Sequence, residues 1–321
     1  MIVDLEPTDD QRLIAESVGG MLAASLPVAR LREASGNGAQ PENALWSSLA
    51  ELGLFGMGLP EEKGGFGYGL PEEMLAAREL GLVLASPSVL AQMAAAHLAD
   101  DGLRPAIMSG EARCAFASLG FDGTVWLYDG DAASHVVLLG DGAALLPRDA
   151  FGNWTAQVPM DETITLANAI AAGDLPARDN VAERISLLIA AATTGIAQAA
   201  TAMAVDFAGQ REQFGQPIGS FQAIKHSCAD MAVRAAAADA QVRYCAITFG
   251  RTEDDRREIA AARWLATDAA IENAKANIQV HGGMGFTAEC DAHLFLKRAH
   301  LFSALGSSRR EEERRIIADA D

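Results

Sequence analysis

A short stretch rich in glycine and proline separates two long segments with helical periodicity, and it constrains the fold more than any other feature. The stretch covers 211–226, and within it Gly215, Pro217 and Gly219 interrupt any helix. The apolar residues before it recur at steps of three and four: Ile185, Leu188, Ile189, Ala192, Ile196, Met203 and Phe207. The series after it is similar: Ile224, Cys228, Met231, Ala235, Ala238, Val242, Cys245 and Phe249. This spacing predicts two long helices joined by a hairpin, with Ser220 as the N-cap of the second.

Composition and charge narrow the classes of protein that fit. The chain has 321 residues, of which 50% are hydrophobic and only 6% aromatic, and this favours close-packed helices over a β-sandwich. The net charge of −18 argues against a nucleic-acid partner, because no basic stripe is available to release counterions. A polyanionic ligand such as CoA or a dinucleotide therefore depends on a few local cationic groups.

Cysteine usage and hydropathy indicate the compartment. The 4 cysteines show no C-x-x-C spacing, so we expect buried thiols in a reducing compartment, with neither a metal site nor a disulfide framework. Residues 1–6 do not have the pattern of a signal peptide, and we expect no membrane span. The predicted location is cytoplasmic.

Local signals divide the chain into three parts. Residues 8–11 form a capping-box pattern before an apolar helical face, and Pro71 with two following glutamates marks another helix start. From Arg113 to Asn180, glycine and aspartate separate short apolar runs, which predict strands at 114–119, 125–128, 135–139 and 144–147. Near the C-terminus, the alternating charges of 309–315 predict a solvated face. The fold class is therefore predicted as mainly α with a small β region. The predicted domains are 1–112 (helical), 113–180 (reduced β) and 181–321 (helical bundle).

Two motifs in the C-terminal part resemble a known family. The pattern Arg-x-x-Phe-Gly-x-x-Ile-x-x-Phe-Gln begins at Arg211, and Gln-Val-His-Gly-Gly-Met-Gly-Phe-Thr covers 279–287. Both are similar in order and spacing to the acyl-CoA dehydrogenases, and the Trp-x-x-Leu-x-Glu-Leu-Gly-Leu segment from Trp46 extends the resemblance to the N-terminal part. The resemblance implies an N-terminal helical domain, a middle β-domain and a C-terminal four-helix bundle, with FAD as cofactor.

The chain departs from the family where the chemistry occurs. Family members hold the flavin ring with a Thr-Glu-Pro-x-x-Gly-Ser-Asp-like segment, whereas 118–124 reads Ser-Leu-Gly-Phe-Asp-Gly-Thr. A second flavin-ring segment, Trp-Ile-Thr-Asn-like, has no counterpart. The family's catalytic glutamate precedes a Gly-Thr/Ser pair, and Leu305 occupies that position here. Some members carry the base near Ile185 instead, but Glu183 lies two residues away, which turns its side chain by about 200° on a helix. The sequence therefore predicts no catalytic residue.

A second set of residues does match the family. The resemblance implies that these residues reach across a subunit interface to the ADP part of a neighbouring FAD: Arg211, Gln213, Phe214, Gln279, Gly282 and Gly283. An arginine pairs well with a pyrophosphate, and glycine allows close backbone approach. Gln213 replaces a hydroxyl residue that is more frequent in the family. Gln222 and His226 also face the hairpin, and we interpret His226 and His281 as packing or interface residues.

These observations predict the non-catalytic, FAD-site-completing subunit of a heteromeric (α2β2) acyl-CoA dehydrogenase. The expected partners are a full-length dehydrogenase subunit, which binds most of the acyl-CoA and shares the FAD, and an electron-transfer flavoprotein as acceptor. Family resemblance associates such assemblies with bulky CoA thioesters such as steroid fragments in bacteria. Two alternatives stay open: a self-sufficient homo-oligomeric dehydrogenase with a non-standard base, and a flavin-free helical scaffold.

Overall fold

The computed structural model describes residues 3–33, 38–120, 122–140, 142–170, 181–251 and 255–318. Helices dominate these ranges, with a small sheet between the N-terminal and C-terminal helices along the chain. The helices are α1 (Asp9–Ser25), α2 (Arg30–Glu33), α3 (Gln40–Ala44), α4 (Trp46–Glu51), α5 (Leu70–Leu82), α6 (Pro87–Leu98), α7 (Arg104–Met108), α8 (Val181–Gln210), α9 (Gln222–Thr248), α10 (Asp255–His281), α11 (Ala292–Ser303) and α12 (Arg309–Ala318). The strands are β1 (Cys114–Leu119), β2 (Thr124–Tyr128), β3 (His135–Gly140), β4 (Gly142–Pro147), β5 (Thr155–Gln157), β6 (Leu166–Ile170), β7 (Glu212–Gln213) and β8 (Gln216–Pro217).

The N-terminal helices form where the local signals predict them. At the start of α1, the Thr8 hydroxyl accepts a hydrogen bond from the Gln11 backbone, and the Gln11 side chain accepts one from the Thr8 backbone. This confirms the predicted capping box. Pro71 lies in the first turn of α5, where its missing N–H has no helical partner to lose. Helix α6 was not predicted, because it is apolar on all sides and has no amphipathic period.

The sheet has six strands in the order β4-β3-β1-β2-β6-β5. Strands β1 and β3 are parallel, and the other neighbours are antiparallel. The four predicted strands are present, whereas β5 and β6 were missed because they are short and partly polar. The predicted domain boundary near Asn180 lies outside the described residues.

The C-terminal bundle is built on α8, which packs against α5, α9, α10 and α11. Helix α8 is long and apolar enough to cross a membrane, but 67% of its most apolar window is buried inside the protein, so it is a core helix. The fully buried Asn273 on α10 joins three helices. Its amide donates to the Ala197 carbonyl on α8 and the Met231 carbonyl on α9, at 3.3 and 2.8 Å. The predicted mainly α fold with a small β region and a helical bundle is confirmed.

One local prediction was wrong, and another holds only in part. Phe221, not Ser220, is the N-cap of α9, since the Ser220 hydroxyl donates to the Pro217 carbonyl at 2.7 Å instead. The charged segment 309–315 is not a purely solvated face. It belongs to α12, and Glu312 on this helix is buried against Arg263 of α10 at 3.8 Å. Burial raises the pKa of Glu312. Alternating charge in the sequence does not reveal which side of a helix packs on a neighbour.

Buried charges tie the three parts of the chain together around the turn between α5 and α6. Arg298 of α11 is 1% exposed, pairs with Asp161 at 2.8 Å and donates to the Thr163 hydroxyl at 2.7 Å. Arg298 also donates to the carbonyls of Leu84 and Ala85 in the turn. No local pattern in the sequence predicts this network, because its members are far apart along the chain.

Asp129 lies in the same buried region and is held by the residues that precede α3, α6 and β6. Its carboxylate accepts hydrogen bonds from the Ser86 hydroxyl and from the backbone of Ala39 and Thr165. Burial raises the pKa of Asp129 to about 6, although these hydrogen bonds oppose the increase. Folding therefore favours the protonated carboxyl.

We expect Asp129 to give the folded state a distinct pH dependence. Because its folded pKa is raised, the stability that it contributes is fully present below the unfolded pKa and is lost as the pH rises through about 6. The loss should approach about 1.4 kcal/mol per pH unit between those values. Urea unfolding from pH 4 to pH 7 should show this slope in the difference in unfolding free energy between the wild type and Asp129→Asn. The exposed Asp131→Asn is the matched control, and a control that behaved like Asp129→Asn would refute the assignment.

Candidate functional site

The hairpin between α8 and α9 places its predicted cofactor residues in solvent. Strands β7 and β8 pair tightly, and the turn between them uses positive φ angles at Phe214 (54°) and Gly215 (78°). Phe214 is 92% exposed, and Arg211 and Gln213 are also exposed. The Arg211 guanidinium makes no hydrogen bond or ion pair with any residue that the structure describes. The Phe214 ring makes only an edge contact with Phe221, with ring centroids 6.0 Å apart. The turn therefore presents a cation without a partner among the described residues, beside an aromatic ring that is almost fully exposed.

The second motif lies at the same end of the bundle. Phe207, four residues before Arg211, stacks on His281 with ring centroids 4.0 Å apart. A small apolar cluster beneath both motifs contains Ala204, Ala208, Met231 and Val280, with Ile218 and Ile224 packed against it. The last turn of α10 exposes Gln279, and the segment that follows exposes Gly282 and Gly283. The structure thus brings both sequence motifs to one surface, which we call the hairpin end: Arg211, Gln213, Phe214, Gln279, Gly282 and Gly283.

The two histidines near the hairpin end differ in environment. His281 is buried, and its Nδ1 lies 2.9 Å from the Asn277 carbonyl, so it is the packing residue that we expected. His226 and Gln222 are exposed on the first turns of α9. Among the described residues, none forms a hydrogen bond that would orient the His226 ring.

The position of the family's usual base is closed. Leu305 is 0% exposed and belongs to the main apolar cluster, while its carbonyl accepts a hydrogen bond from Arg263 at 2.7 Å. The Ser118 hydroxyl on β1 donates to the Ala304 carbonyl at 3.1 Å and accepts from the Gly306 backbone at 3.4 Å. Strand β1 and the loop after α11 are therefore joined directly. Sequence reasoning identified Leu305 but missed the role of Ser118 in this contact.

The alternative base position also carries no suitable group. Ile185 is 1% exposed and packs in the core. Glu183 lies in the first turn of α8, is 22% exposed, and pairs with Arg256 at 2.9 Å. Glu183 nevertheless lines a cavity of about 310 Å³ together with Gly306 and Ser307, so it lies near the loop that carries Leu305.

The described residues fit the ADP portion of FAD but not its flavin ring. The hairpin end offers an open guanidinium and exposed glycine backbone, which suit the ADP portion and its pyrophosphate. Ser118 is hydrogen-bonded directly to the loop 304–306, so a flavin ring has no space between these two segments. Within the described ranges, no group of three or more His, Cys, Asp or Glu side chains could hold a metal ion.

Comparison with protein families gives the class of protein. Residues 8–103 match the family model of the acyl-CoA dehydrogenase N-terminal domain, and residues 181–320 match that of the C-terminal domain. The sheet lies between the two matched ranges along the chain.

Relatives of known sequence give the assignment more directly. The chain is 33% identical to acyl-CoA dehydrogenase IpdE2 of Mycobacterium tuberculosis, and the match covers 98% of both chains. The chain therefore belongs to the acyl-CoA dehydrogenase family, whose members are FAD-dependent oxidoreductases. It is 36% identical to acyl-CoA dehydrogenase FadE34 of the same organism over 80% of its own length, but spans only 39% of that relative.

Solved structures share the fold. The ChsE4–ChsE5 complex from Mycobacterium tuberculosis contains a chain with a TM-score of 0.81 at 22% identity, covering 99% of each chain. A chain of the Tcur3481–Tcur3483 steroid acyl-CoA dehydrogenase variant also has a TM-score of 0.81, at 23% identity, with 97% and 98% of the two chains covered.

Proposed function

We propose that this chain is the non-catalytic subunit of a heteromeric acyl-CoA dehydrogenase, in which it completes the FAD site of a full-length partner subunit. In that assembly the bound FAD would supply the hydride acceptor for α,β-dehydrogenation of an acyl-CoA thioester. This chain supplies Arg211, Gln213, Phe214, Gln279, Gly282 and Gly283 to the ADP part of the shared cofactor. The direct contact of Ser118 with the loop 304–306 carries the proposal, because it closes the region where a catalytic subunit needs space.

The exposure of the hairpin end supports a role between subunits. Phe214 adopts a positive φ, which is uncommon for an aromatic residue, and is nevertheless almost fully exposed. A Cβ atom added at Gly283 would meet nothing within 4 Å, so packing within the described chain does not require glycine there. Both features are explained if a partner subunit and its bound nucleotide approach this surface.

The similar proteins are compatible with an assembly of unlike subunits. The names ChsE4–ChsE5 and Tcur3481–Tcur3483 each describe a pair of different proteins, and the second is called a steroid acyl-CoA dehydrogenase. We extend this to our chain as a proposal: an α2β2 heterotetramer acting on a bulky, steroid-derived CoA thioester, with an electron-transfer flavoprotein as acceptor. If the assembly oxidised only short linear acyl-CoAs, the proposal of a bulky, steroid-derived substrate would be contradicted.

A self-sufficient homo-oligomeric dehydrogenase is the second candidate. It is favoured by the position of Glu183, which lines the same cavity as the loop that carries Leu305. The ion pair between Glu183 and Arg256 disfavours it, since a paired carboxylate is a poor base.

Flavin absorbance separates these candidates. The chain is purified alone and after co-expression with a full-length acyl-CoA dehydrogenase subunit, and the visible spectrum is recorded for both samples. We expect flavin in the complex and none in the lone chain. A lone chain that holds stoichiometric FAD and is bleached by an acyl-CoA would refute the proposal, and Glu183 would then be the first residue to substitute.

Substitution of Arg211 tests the hairpin end itself. Arg211→Ala should weaken FAD binding by the complex by about tenfold or more, because a charge-assisted contact with the pyrophosphate is lost. The matched control is Arg12→Ala, which removes an exposed arginine of α1 that pairs with Asp9. Flavin content after dialysis is the measurement. If Arg211→Ala and Arg12→Ala complexes retained equal flavin, the scaffold alternative would be favoured.

A further inference from the structure

A cavity between the N-terminal helices and the sheet has no assigned role. Its volume is about 300 Å³, and it lies at the start of β1, at the opposite end of that strand from Ser118. Its described lining comes from residues 38–39, α3, α4, the first turn of α6, the start of β1 and the turn after β2. Small-molecule sites commonly enclose about 300–1,000 Å³, so this cavity suits a small ligand. We call it the N-terminal cavity.

Arg113 is held in a fixed orientation at the wall of the N-terminal cavity. Its guanidinium lies over the Trp46 ring, 5.0 Å from the ring centroid, and its Nη1 donates to the side-chain carbonyl of Asn43. Trp46 is 3% exposed and packs on Phe55, so it is a firm support. The other N–H groups of Arg113 donate to no residue in the described ranges. A planar guanidinium that is already oriented and has open donors can bind a carboxylate through two hydrogen bonds at a low cost in side-chain entropy.

Two carboxylates line the same cavity, but neither pairs with Arg113. Asp129 is buried, and its carboxylate already accepts three hydrogen bonds from other residues. Asp131 is exposed on the turn after β2, and its carboxylate makes no hydrogen bond or ion pair within the part of the chain that the structure describes. The described lining therefore offers a ligand one open cation, Arg113, and one open anion, Asp131.

We propose that the N-terminal cavity binds a free α-amino acid with a small side chain. Arg113 binds the carboxylate of the ligand, and Asp131 pairs with its ammonium group. A ligand with only one of these charges would leave one of the two protein groups unpaired. Ala39, Ala132 and Ala133 also line the cavity and offer small apolar surfaces to the ligand's side chain. No residue of this cavity belongs to the hairpin end, so the inference does not rest on the proposed function.

Calorimetric titration of the full-length chain tests this assignment. The probes are L-alanine, propanoate, which lacks the ammonium group, and L-alaninamide, which lacks the carboxylate. We expect L-alanine to bind one site per chain and to bind more tightly than either comparison compound. Arg113→Gln should weaken L-alanine binding by about tenfold, the effect expected when a charge-assisted pair of hydrogen bonds is lost. Asp131→Asn should weaken it by about threefold, because an exposed ion pair contributes less.

Two further variants make the test specific. Arg113→Lys keeps the charge but loses the planar pair of donors, so it should also weaken binding. Asp149→Asn is the matched control for Asp131→Asn, because Asp149 is exposed and does not line the cavity, and it should bind L-alanine like the wild type. Circular dichroism establishes which variants are folded, and the exposed Asp131→Asn tests the site even if Arg113→Gln does not fold.

Four results would overturn the assignment. The first is that no binding of L-alanine is detected, and the second is that propanoate or L-alaninamide binds as tightly as L-alanine. The third is that a folded Arg113→Gln or Arg113→Lys protein binds L-alanine like the wild type. The fourth is that Asp131→Asn and Asp149→Asn behave alike.

Discussion

Replacement of Arg298 by methionine should destabilise the protein by about 3–5 kcal/mol, the range for a buried ion pair that loses one partner. Methionine fills a similar volume, so most of the loss comes from charge and hydrogen bonding. Asp161 is 3% exposed and would remain as an uncompensated buried carboxylate. The Leu84 and Ala85 carbonyls would also lose their donor. In the wild type the Arg298 guanidinium, with the Thr163 hydroxyl, holds the pKa of Asp161 below its usual value, although burial alone would raise it.

Urea unfolding monitored by circular dichroism measures this loss of unfolding free energy. Two further variants serve as controls. Arg309→Met breaks exposed pairs with Asp268 at 3.2 Å and Glu313 at 3.5 Å and a cation–π contact with Trp264 at 4.8 Å, and should cost less than about 2 kcal/mol. The double variant Arg298→Met/Asp161→Leu should recover most of the loss, because it removes both buried charges. Equal losses for Arg298→Met and Arg309→Met would show that the buried network does not hold the three parts together.

Leu305→Glu should also destabilise the protein by several kcal/mol, about the cost of placing an ionisable group in an apolar core. The substitution restores the residue type that the family uses as base, but Leu305 is fully buried in the main apolar cluster. Desolvation would raise the pKa of the new carboxyl above that of an unfolded glutamate. The loss should therefore be smallest at pH 4, where the group is largely protonated in both states, and should grow as the pH rises.

Thermal unfolding at pH 4 and pH 7 provides the test, with Leu305→Met as the matched control. Methionine nearly conserves the volume of leucine, so the control should cost less than about 1.5 kcal/mol at either pH. We expect neither variant to oxidise an acyl-CoA. A stable Leu305→Glu protein whose bound flavin was bleached by substrate would contradict the closed loop that Ser118 and Arg263 maintain.

The predicted helices agree with the structure wherever local chemistry was sufficient. The capping box at Thr8, the break at Gly215 and Pro217, and the periodic faces of α8 and α9 depend on residues within a few positions of one another. Helix α6 and strands β5 and β6 lacked such a signal. Helix α6 is apolar around its circumference and shows no amphipathic period. Strands β5 and β6 are too short and too polar to show an alternating pattern. The elements packed around these three segments decide their conformation.

The candidate site divides in the same way. The residues of the hairpin end are contiguous in two motifs, so residue identity and spacing are enough to reveal their resemblance to the family. The contact of Ser118 with residues 304–306 joins positions separated by more than half the chain, and a serine there has no distinctive local pattern. The cavity beside the loop 304–306 likewise brings Glu183 of α8 together with Gly306 and Ser307.

The sequence by itself determined the helical hairpin, the family resemblance and the loss of a glutamate at Leu305, because each depends on residue identity and short-range spacing. Tertiary structure alone decided which charges are buried and which loop is closed. These properties depend on solvation and on distances between segments remote in sequence, and a side chain's neighbours are fixed only when α8, α10 and the sheet pack together.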